Sequence, residues 1–160
     1  KPQPQVLNTS TLEKIINVSE LSTFTAVYNG IAEVANEKKP DQIDYYVSYE
    51  ATVNAGIDFQ TVGVSMDEEQ KIITLKVPEA HITNLAVDMS SLDFIFLNKK
   101  ADKSGVTEAA YKACEEDVRR ESEQQTAICE LAKQNAKNVL KALAQPIVNQ
   151  LGADYQLVIE

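Results

Sequence analysis

The first half of the chain alternates between apolar and polar residues with a period of two, a pattern that predicts β-strands. The alternation is longest over 43–55, where the apolar positions are Ile43, Tyr45, Val47, Tyr49, Ala51, Val53 and Ala55. Seven matches in succession indicate one long strand with a buried face and a wetter face. A shorter alternation that starts at Leu21 predicts an earlier strand running to about residue 35.

Two further runs form a hairpin pattern. The apolar stretches over 62–66 and 71–77 are separated by a short polar connection, which is typical of a turn between paired strands. Weaker alternation predicts strands over 82–87 and 92–97, and the closing stretch 155–159 predicts a last strand. Strands that follow one another so closely favour a mainly antiparallel sheet of about five to seven strands.

From about Val106 the apolar spacing changes to that of an α-helix and continues almost to Gly152. The middle section, 115–127, contains Val118 as its single large apolar residue and cannot bury an apolar stripe. It therefore predicts either a helix that projects into solvent or two helices joined across a polar segment. Pro146 lacks the amide hydrogen that a helix interior needs, so we expect a kink or a break near it. Gly152 is well suited to end the helix.

The N-terminal region predicts two further features. Ser10 and Glu13 fit a capping box, and the apolar spacing after Ser10 predicts a short amphipathic helix over about 10–17. The opening Lys-Pro-Gln-Pro-Gln favours extended backbone, so 1–8 is interpreted as the remnant of a linker or stalk. Residues 9–160 suit a single α+β domain with this short helix, a mainly antiparallel sheet, a long C-terminal helical segment and a final strand.

The chain is acidic, with a formal net charge of −9 and a pI near 4.7. A nucleic-acid binder needs a surface of opposite sign to the phosphates, and the pairs Lys38-Lys39 and Lys99-Lys100 are too few to reverse the field. The same charge disfavours direct contact between the folded domain and an anionic membrane. No run of about 18 apolar residues is present, so the sequence predicts no membrane-spanning helix within these residues.

The two cysteines, Cys114 and Cys129, both fall in the predicted helical region. Along one helix their separation corresponds to roughly 22 Å, far beyond the ~7 Å within which a disulfide forms. We therefore expect two unpaired thiols. A catalytic role is not expected, because a catalytic cysteine needs a basic partner and the chain has one histidine, which nothing in the sequence places nearby.

Few residues suggest chemistry. Asp58, Glu79 and His81 are the one set that could serve a hydrolase as acid–base groups, and Glu79 and His81 would share one face of a strand. An aspartate after a glycine turn usually accepts backbone amides, however, which gives Asp58 a structural explanation. A zinc site needs three or four ligands, and the sequence has neither a second histidine nor a CxxC or HExxH motif.

The sequence thus predicts no catalytic residue, no metal ligand and no cofactor, and it leaves the binding residues open. Tyr45 and Tyr49 belong to the inward face of the long strand. Tyr46 belongs to the other face and is a candidate for an exposed binding contact.

Four segments, taken in order, resemble the bacterial domain-of-unknown-function family 4230 (DUF4230). They are 16–23, 49–59 with its Ala-Gly-Ile-Asp core, the hairpin 67–80 and the helical 132–140. The resemblance covers about 10–160 and implies a transmembrane or signal-like segment ahead of the domain, hence a membrane-anchored domain outside the cytoplasm. It implies no catalytic residues. A weaker, fold-level likeness is to band-seven (stomatin-like) domains, in which strands also lead into a long helix.

Three hypotheses for function follow. The first is a membrane-tethered extracytoplasmic domain that binds or scaffolds a partner and catalyses no reaction. The partner is either another protein or a second copy of this chain. The second is a self-assembling structural module in which helix 106–145, with its polar section 115–127, contacts another copy. The third is a hydrolase that uses Asp58, Glu79 and His81. Nucleic acid is excluded as a partner by the charge, and a membrane is expected only through the anchor.

Overall fold

The computed structural model of the protein describes Leu12, Glu13, Ile16 and residues 23–160. This part of the chain contains the strands β1 (Phe24–Ala35), β2 (Ile43–Gly56), β3 (Gly63–Asp67), β4 (Ile72–Lys76), β5 (His81–Val87), β6 (Asp93–Phe96) and β7 (Gln156–Ile159). Two α-helices, α1 (Val106–Gln124) and α2 (Thr126–Leu151), lie between β6 and β7. The predicted α+β class, the long C-terminal helical segment and the final strand are confirmed. The strands form two sheets, not one.

The chain divides into two compact units that alternate along the sequence. The first unit contains the described residues up to Phe24, then Ala55–His81 and Cys129–Glu160. The second unit contains Thr25–Asn54 and Ile82–Ile128. The chain therefore passes from one unit to the other four times.

The sheet of the first unit contains β3, β4 and β7. The predicted hairpin is confirmed, since β3 and β4 pair antiparallel with Gly63 opposite Lys76. Asp67 closes its turn by accepting hydrogen bonds from the backbone N–H groups of Glu69 and Gln70, both at 3.0 Å. The last strand, β7, pairs parallel to β4, so this sheet is mixed and departs from the predicted antiparallel arrangement.

The core of the first unit forms where α2 packs with this sheet. The helix contributes fully buried residues at every fourth position, namely Ala132, Ala136, Leu140, Ala144 and Val148. This spacing places them along one stripe of the helix surface. The sheet contributes Ile73 and Leu75, which alternate with more exposed residues as the period of a strand requires.

Most of the residues for which a short N-terminal helix was predicted, 10–17, lie outside the described part of the chain, as does the predicted linker 1–8. No short N-terminal helix is therefore among the described elements. Three residues of that range are described, and Leu12, Glu13 and Ile16 have helical backbone. Leu12 and Ile16 are buried in the core of the first unit.

Helix α2 continues through Pro146, so of the predicted kink or break the break is wrong, and the kink stays a prediction. Proline has no N–H to offer the carbonyl of Ala142 one turn earlier. Both residues are exposed, and water can therefore satisfy this carbonyl. The helix ends just before Gly152, whose φ of 141° lies in a region that side chains rarely adopt.

The sheet of the second unit has β2 at its centre, hydrogen-bonded to β1, β5 and β6. The pairing of β2 with β6 is antiparallel, with Tyr45 opposite Phe96 and Val47 opposite Phe94. Helix α1 packs against the inward face of this sheet. The buried core comprises Ala32, Tyr45, Val47, Tyr49, Ala51, Val53, Val87, Ala110, Cys114 and Val118. Tyr45 and Tyr49 therefore face inward, as predicted.

The polar section 115–127 contains a boundary between helices, since α1 ends at Gln124 and α2 begins at Thr126. Of the two predicted arrangements, the structure has two helices joined across a polar segment. As predicted, the section buries no apolar stripe, since Val118 is its single large apolar residue. Two of its polar residues, Asp117 and Ser122, are nevertheless buried beside Val118. Asp117 can enter the core because its carboxylate has hydrogen-bonding partners there.

Candidate binding site

A buried polar cluster joins α1 to β2 in the second unit. The hydroxyl of Tyr49 donates a hydrogen bond to Oδ2 of Asp117 at 2.6 Å, and Nη2 of Arg120 donates to Oδ1 at 2.7 Å. Both carboxylate oxygens thus have a partner, which offsets the cost of burying this polar side chain. Burial and the hydrogen bond to Asp117 raise the pKa of Tyr49 well above its usual value of 10.0. The phenol remains protonated, and the cluster has a structural role.

The ring of Tyr49 occupies space that a glycine leaves open on the neighbouring strand. A Cβ atom at Gly30 would lie 2.5 Å from the ring of Tyr49 and 2.7 Å from that of Tyr28. These two rings are themselves neighbours, with centroids 6.1 Å apart. Position 30 therefore carries a glycine because two aromatic side chains approach the backbone closely there.

Both cysteines are free, as predicted. Cys114 is fully buried beside this cluster, and burial, with a smaller effect of the Asp117 carboxylate, raises the pKa of its thiol to about 11. A thiol with so high a pKa is a poor nucleophile near neutral pH. Cys114 is therefore a packing residue.

The three residues proposed for a hydrolase have separate contacts in the structure. The side chain of Asp58 caps a short 3-10 helix by accepting a hydrogen bond from the N–H of Gln60 at 3.0 Å. Glu79 forms an ion pair with Lys133, and His81 is exposed at the start of β5. Within the described residues, no group of three or more histidine, cysteine, aspartate or glutamate side chains could hold a metal ion.

A cavity of about 420 Å³ opens at one end of the second unit, where the β1–β2 loop, the segment after β6 and the first turn of α1 come together. Asp44 holds two of these segments, because its Oδ1 accepts hydrogen bonds from the side-chain amides of Asn36 and Asn98, both at 3.1 Å. Lysines from both lysine pairs line this one cavity, although more than 60 residues separate Lys38 from Lys100. Nothing in the sequence predicts that the two pairs meet.

The other candidate feature lies on the outer face of the same sheet, the face opposite α1, where exposed apolar side chains are interspersed with polar ones. Its large apolar side chains are Val27, Ile31, Ile95 and Leu97, which are 62%, 64%, 64% and 60% exposed. We call these four residues the outer patch. Tyr46, the predicted exposed contact, is half-buried and lies directly opposite Ile95 in the strand pairing. Most exposed hydrophobic residues are scattered singly, whereas groups on one face commonly mark interaction surfaces.

Strand β1, which contributes half of the outer patch, lies at the end of its sheet and pairs with β2 among the described strands. It is 12 residues long and contains Glu33 as its single charged residue, without proline or lysine. Edge strands are usually protected from pairing with other chains by charges, prolines or short length. β1 has little such protection.

Comparison with known proteins gives one match. The sequence model of a family described as proteins of unknown function (DUF4230) matches residues 13–158. No curated protein and no solved structure matches the chain, and the likeness to band-seven domains is not confirmed. Neither helix of the described residues combines the length and the apolar character needed to cross a membrane.

Proposed function

Since the chain belongs to the DUF4230 family of proteins of unknown function, we propose that it is a membrane-tethered domain outside the cytoplasm that binds a partner protein. The tether is supported by the family resemblance, which implies a transmembrane or signal-like segment ahead of the domain. A non-catalytic role is supported by the contacts of Asp58 and Glu79. Asp58 caps a short 3-10 helix, and Glu79 forms a surface ion pair with Lys133.

The outer patch is the observation on which the binding role depends. Four apolar side chains of about the same exposure lie on one sheet face. Covering the exposed part of each is worth about 1–2 kcal/mol, if complete burial of such a side chain is worth about 1.5–3 kcal/mol. The four together offset a substantial part of the roughly 4–15 kcal/mol that two proteins lose in freedom of motion when they associate.

The edge of β1 with which no described strand pairs suggests how the partner is aligned. A segment of the partner that adopts an extended conformation can hydrogen-bond to the backbone along this edge and extend the sheet. Its side chains on the outer face would then contact Val27 and Ile31, which lie on that face of β1. We propose that backbone pairing provides the register and that the outer patch provides most of the affinity.

Photo-crosslinking in intact cells tests the binding surface. The full-length protein is expressed with a photoreactive residue at Ile31 or Ile95, and with the same residue at the exposed Lys141 as the control. We expect a discrete crosslinked product from both patch positions and none from position 141. Combining the probe at Ile95 with Leu97→Asp should remove the product, because a charge in the patch opposes burial.

Two results would contradict this proposal. One is the absence of a product at both patch positions, and the other is a product that survives Leu97→Asp unchanged. A product that contains two copies of the chain would identify the partner as a second molecule of the same protein.

Thiol labelling tests the location separately. In the full-length protein, Cys129→Ser removes the more accessible native thiol, and Lys141→Cys then supplies an exposed one. We expect a reagent that cannot cross membranes to label this cysteine in intact cells. Labelling only after the cells are lysed would show that the domain lies in the cytoplasm.

A further inference from the structure

A second cavity of the second unit, of about 340 Å³, lies between β5 and α1 and shares no lining residue with the lysine-lined cavity. Four consecutive residues of β5, 82–85, line it. Neighbouring side chains of a strand point to opposite faces, so a cavity that touches four residues in succession lies along the edge of the strand. Four residues of extended chain span roughly 10 Å from the first Cα to the last. We call this cavity the β5–α1 groove.

The edge of β5 along this groove pairs with no described strand. Among the described strands, β5 is hydrogen-bonded to β2 and to no other. Its second edge therefore carries backbone N–H and C=O groups without a partner strand. β5 contains neither lysine nor proline, which commonly prevent an edge strand from pairing with another chain. An extended segment that enters the groove can hydrogen-bond to this edge.

Helix α1 forms the opposite wall of the groove through Arg119, Ser122 and Glu123. Arg119 and Glu123 are both exposed and carry opposite charges, so the lining has no net charge. This balance does not favour a phosphate or a metal ion, each of which needs an excess of one sign. The lining instead offers hydrogen-bond donors and acceptors together. A matching ligand has both kinds of group and no net charge.

Ser122 is the residue that points to a ligand. It lines the groove although it is only 4% exposed. Its hydroxyl has no hydrogen-bond partner among the described residues. Tyr45 is the one described residue with an unpaired side-chain polar atom that is fully enclosed, so the unpaired oxygen of Ser122 opens to the groove. Buried hydroxyl groups normally have a partner, and here the space for that partner lies in the groove.

We propose that the β5–α1 groove binds a short extended segment of another protein, about four residues long and without net charge. The backbone of such a segment carries N–H and C=O groups along its whole length. These groups match the unpaired edge of β5 on one side and the donors and acceptors of α1 on the other. Addition of a strand to a sheet edge is a recurring mode of peptide recognition. β5 and β1 lie on opposite sides of β2, so this groove is separate from the partner surface proposed above.

A random heptapeptide library displayed on phage and selected against the 160-residue chain tests the groove. The enriched sequences are made as peptides with blocked ends and titrated into the protein by NMR. We expect enriched peptides without net charge and saturable shifts at the amides of 82–85 and 119–123. Two versions of a binding peptide, N-methylated at odd or at even positions, should differ. One version should lose binding, because only alternate N–H groups of an added strand point toward β5.

Variants of α1 test the role of the buried hydroxyl. Ser122→Ala should weaken binding by about fivefold, the effect of one lost hydrogen bond. Thr107→Ala is the matched control and should bind as the unchanged protein does, because Thr107 is exposed on the same helix and lies outside the groove lining.

Three results would overturn the proposal. They are the absence of any selected peptide that binds in solution, equal binding by both N-methylated versions, and unchanged binding by Ser122→Ala. Shifts at β1 and the outer patch in place of the groove would also overturn it, while supporting the partner surface proposed above.

Discussion

The hydroxyl of Tyr49 donates a 2.6 Å hydrogen bond to Asp117, whereas the hydroxyl of Tyr45 has no partner among the described residues. The two tyrosines lie four residues apart on the same face of β2, and each is 3% exposed. They differ in the fate of the hydroxyl group. This difference makes them a matched pair for measuring what a buried hydrogen bond contributes.

Tyr49→Phe should destabilise the protein by about 1.5–3 kcal/mol, because it removes a hydrogen bond to a buried charged group. Tyr45→Phe should leave stability unchanged or raise it by about 1 kcal/mol, since it removes a buried hydroxyl without a partner. Urea unfolding of the two variants measures both changes. Equal losses in the two would show that Asp117 does not stabilise Tyr49.

Gly30→Ala should destabilise the protein by about 1–3 kcal/mol, since the added methyl group overlaps the rings of Tyr49 and Tyr28. Gly63→Ala is the control, because its Cβ would lie 3.5 Å from Lys76, an ordinary contact. That change should leave the stability of the protein unchanged or raise it by about 0.4–1 kcal/mol, because alanine reduces the conformational freedom of the unfolded chain. Thermal unfolding of both variants checks this, and a stable Gly30→Ala protein would contradict the packing described for Tyr49.

Stability should fall at alkaline pH. The pKa of Cys114 rises from 9.0 to about 11 on folding, so between these values the folded chain retains a proton that the unfolded chain has lost. The free energy of unfolding therefore decreases as pH rises through this range. The pKa values of Tyr28, Tyr45 and Tyr49 are also raised by burial and act in the same direction above pH 10.

Denaturant unfolding measured from pH 8 to 11 tests this expectation. In Cys114→Ala, the free energy of unfolding should decrease less steeply between pH 9 and 11. The decrease caused by the tyrosines should remain. A decline that is identical in the variant would show that the Cys114 thiol is not responsible.

The two thiols should react at different rates. Cys129 is half-buried on α2, whereas Cys114 is fully buried in the core of the second unit. A thiol reagent at pH 8 should therefore modify one cysteine in the native protein and both in denaturant. Cys129→Ser should leave no fast reaction. Rapid labelling of that variant would indicate that the region around Cys114 opens readily.

Much of the secondary structure was predictable because it depends on neighbouring residues. The alternation in β2 and the turn formed by Asp67 are local features, and both are found where expected. Long-range partners were not predictable. The parallel pairing of β7 with β4 joins Ile72 to Gln156, and no local pattern records such a partner.

The candidate sites were harder to predict for the same reason. Asp117 looks like a solvated residue in the sequence, and its partner Tyr49 is 68 residues away. The lysine-lined cavity forms because Asp44 joins the segments of Asn36 and Asn98. The outer patch is exposed because α1 covers the other face of the sheet. Alternation divides the residues of a strand into two faces but does not show which face a helix covers.

The alternation of the two units along the sequence limits how this protein can be divided. A single cut in the chain cannot separate them, because each unit uses residues from both sides of the other. Loss of the last 32 residues, Cys129–Glu160, would remove most of the helix and one strand from the first unit. Neither unit can be transferred to another protein as one continuous fragment, so we expect the two to be inherited together or not at all.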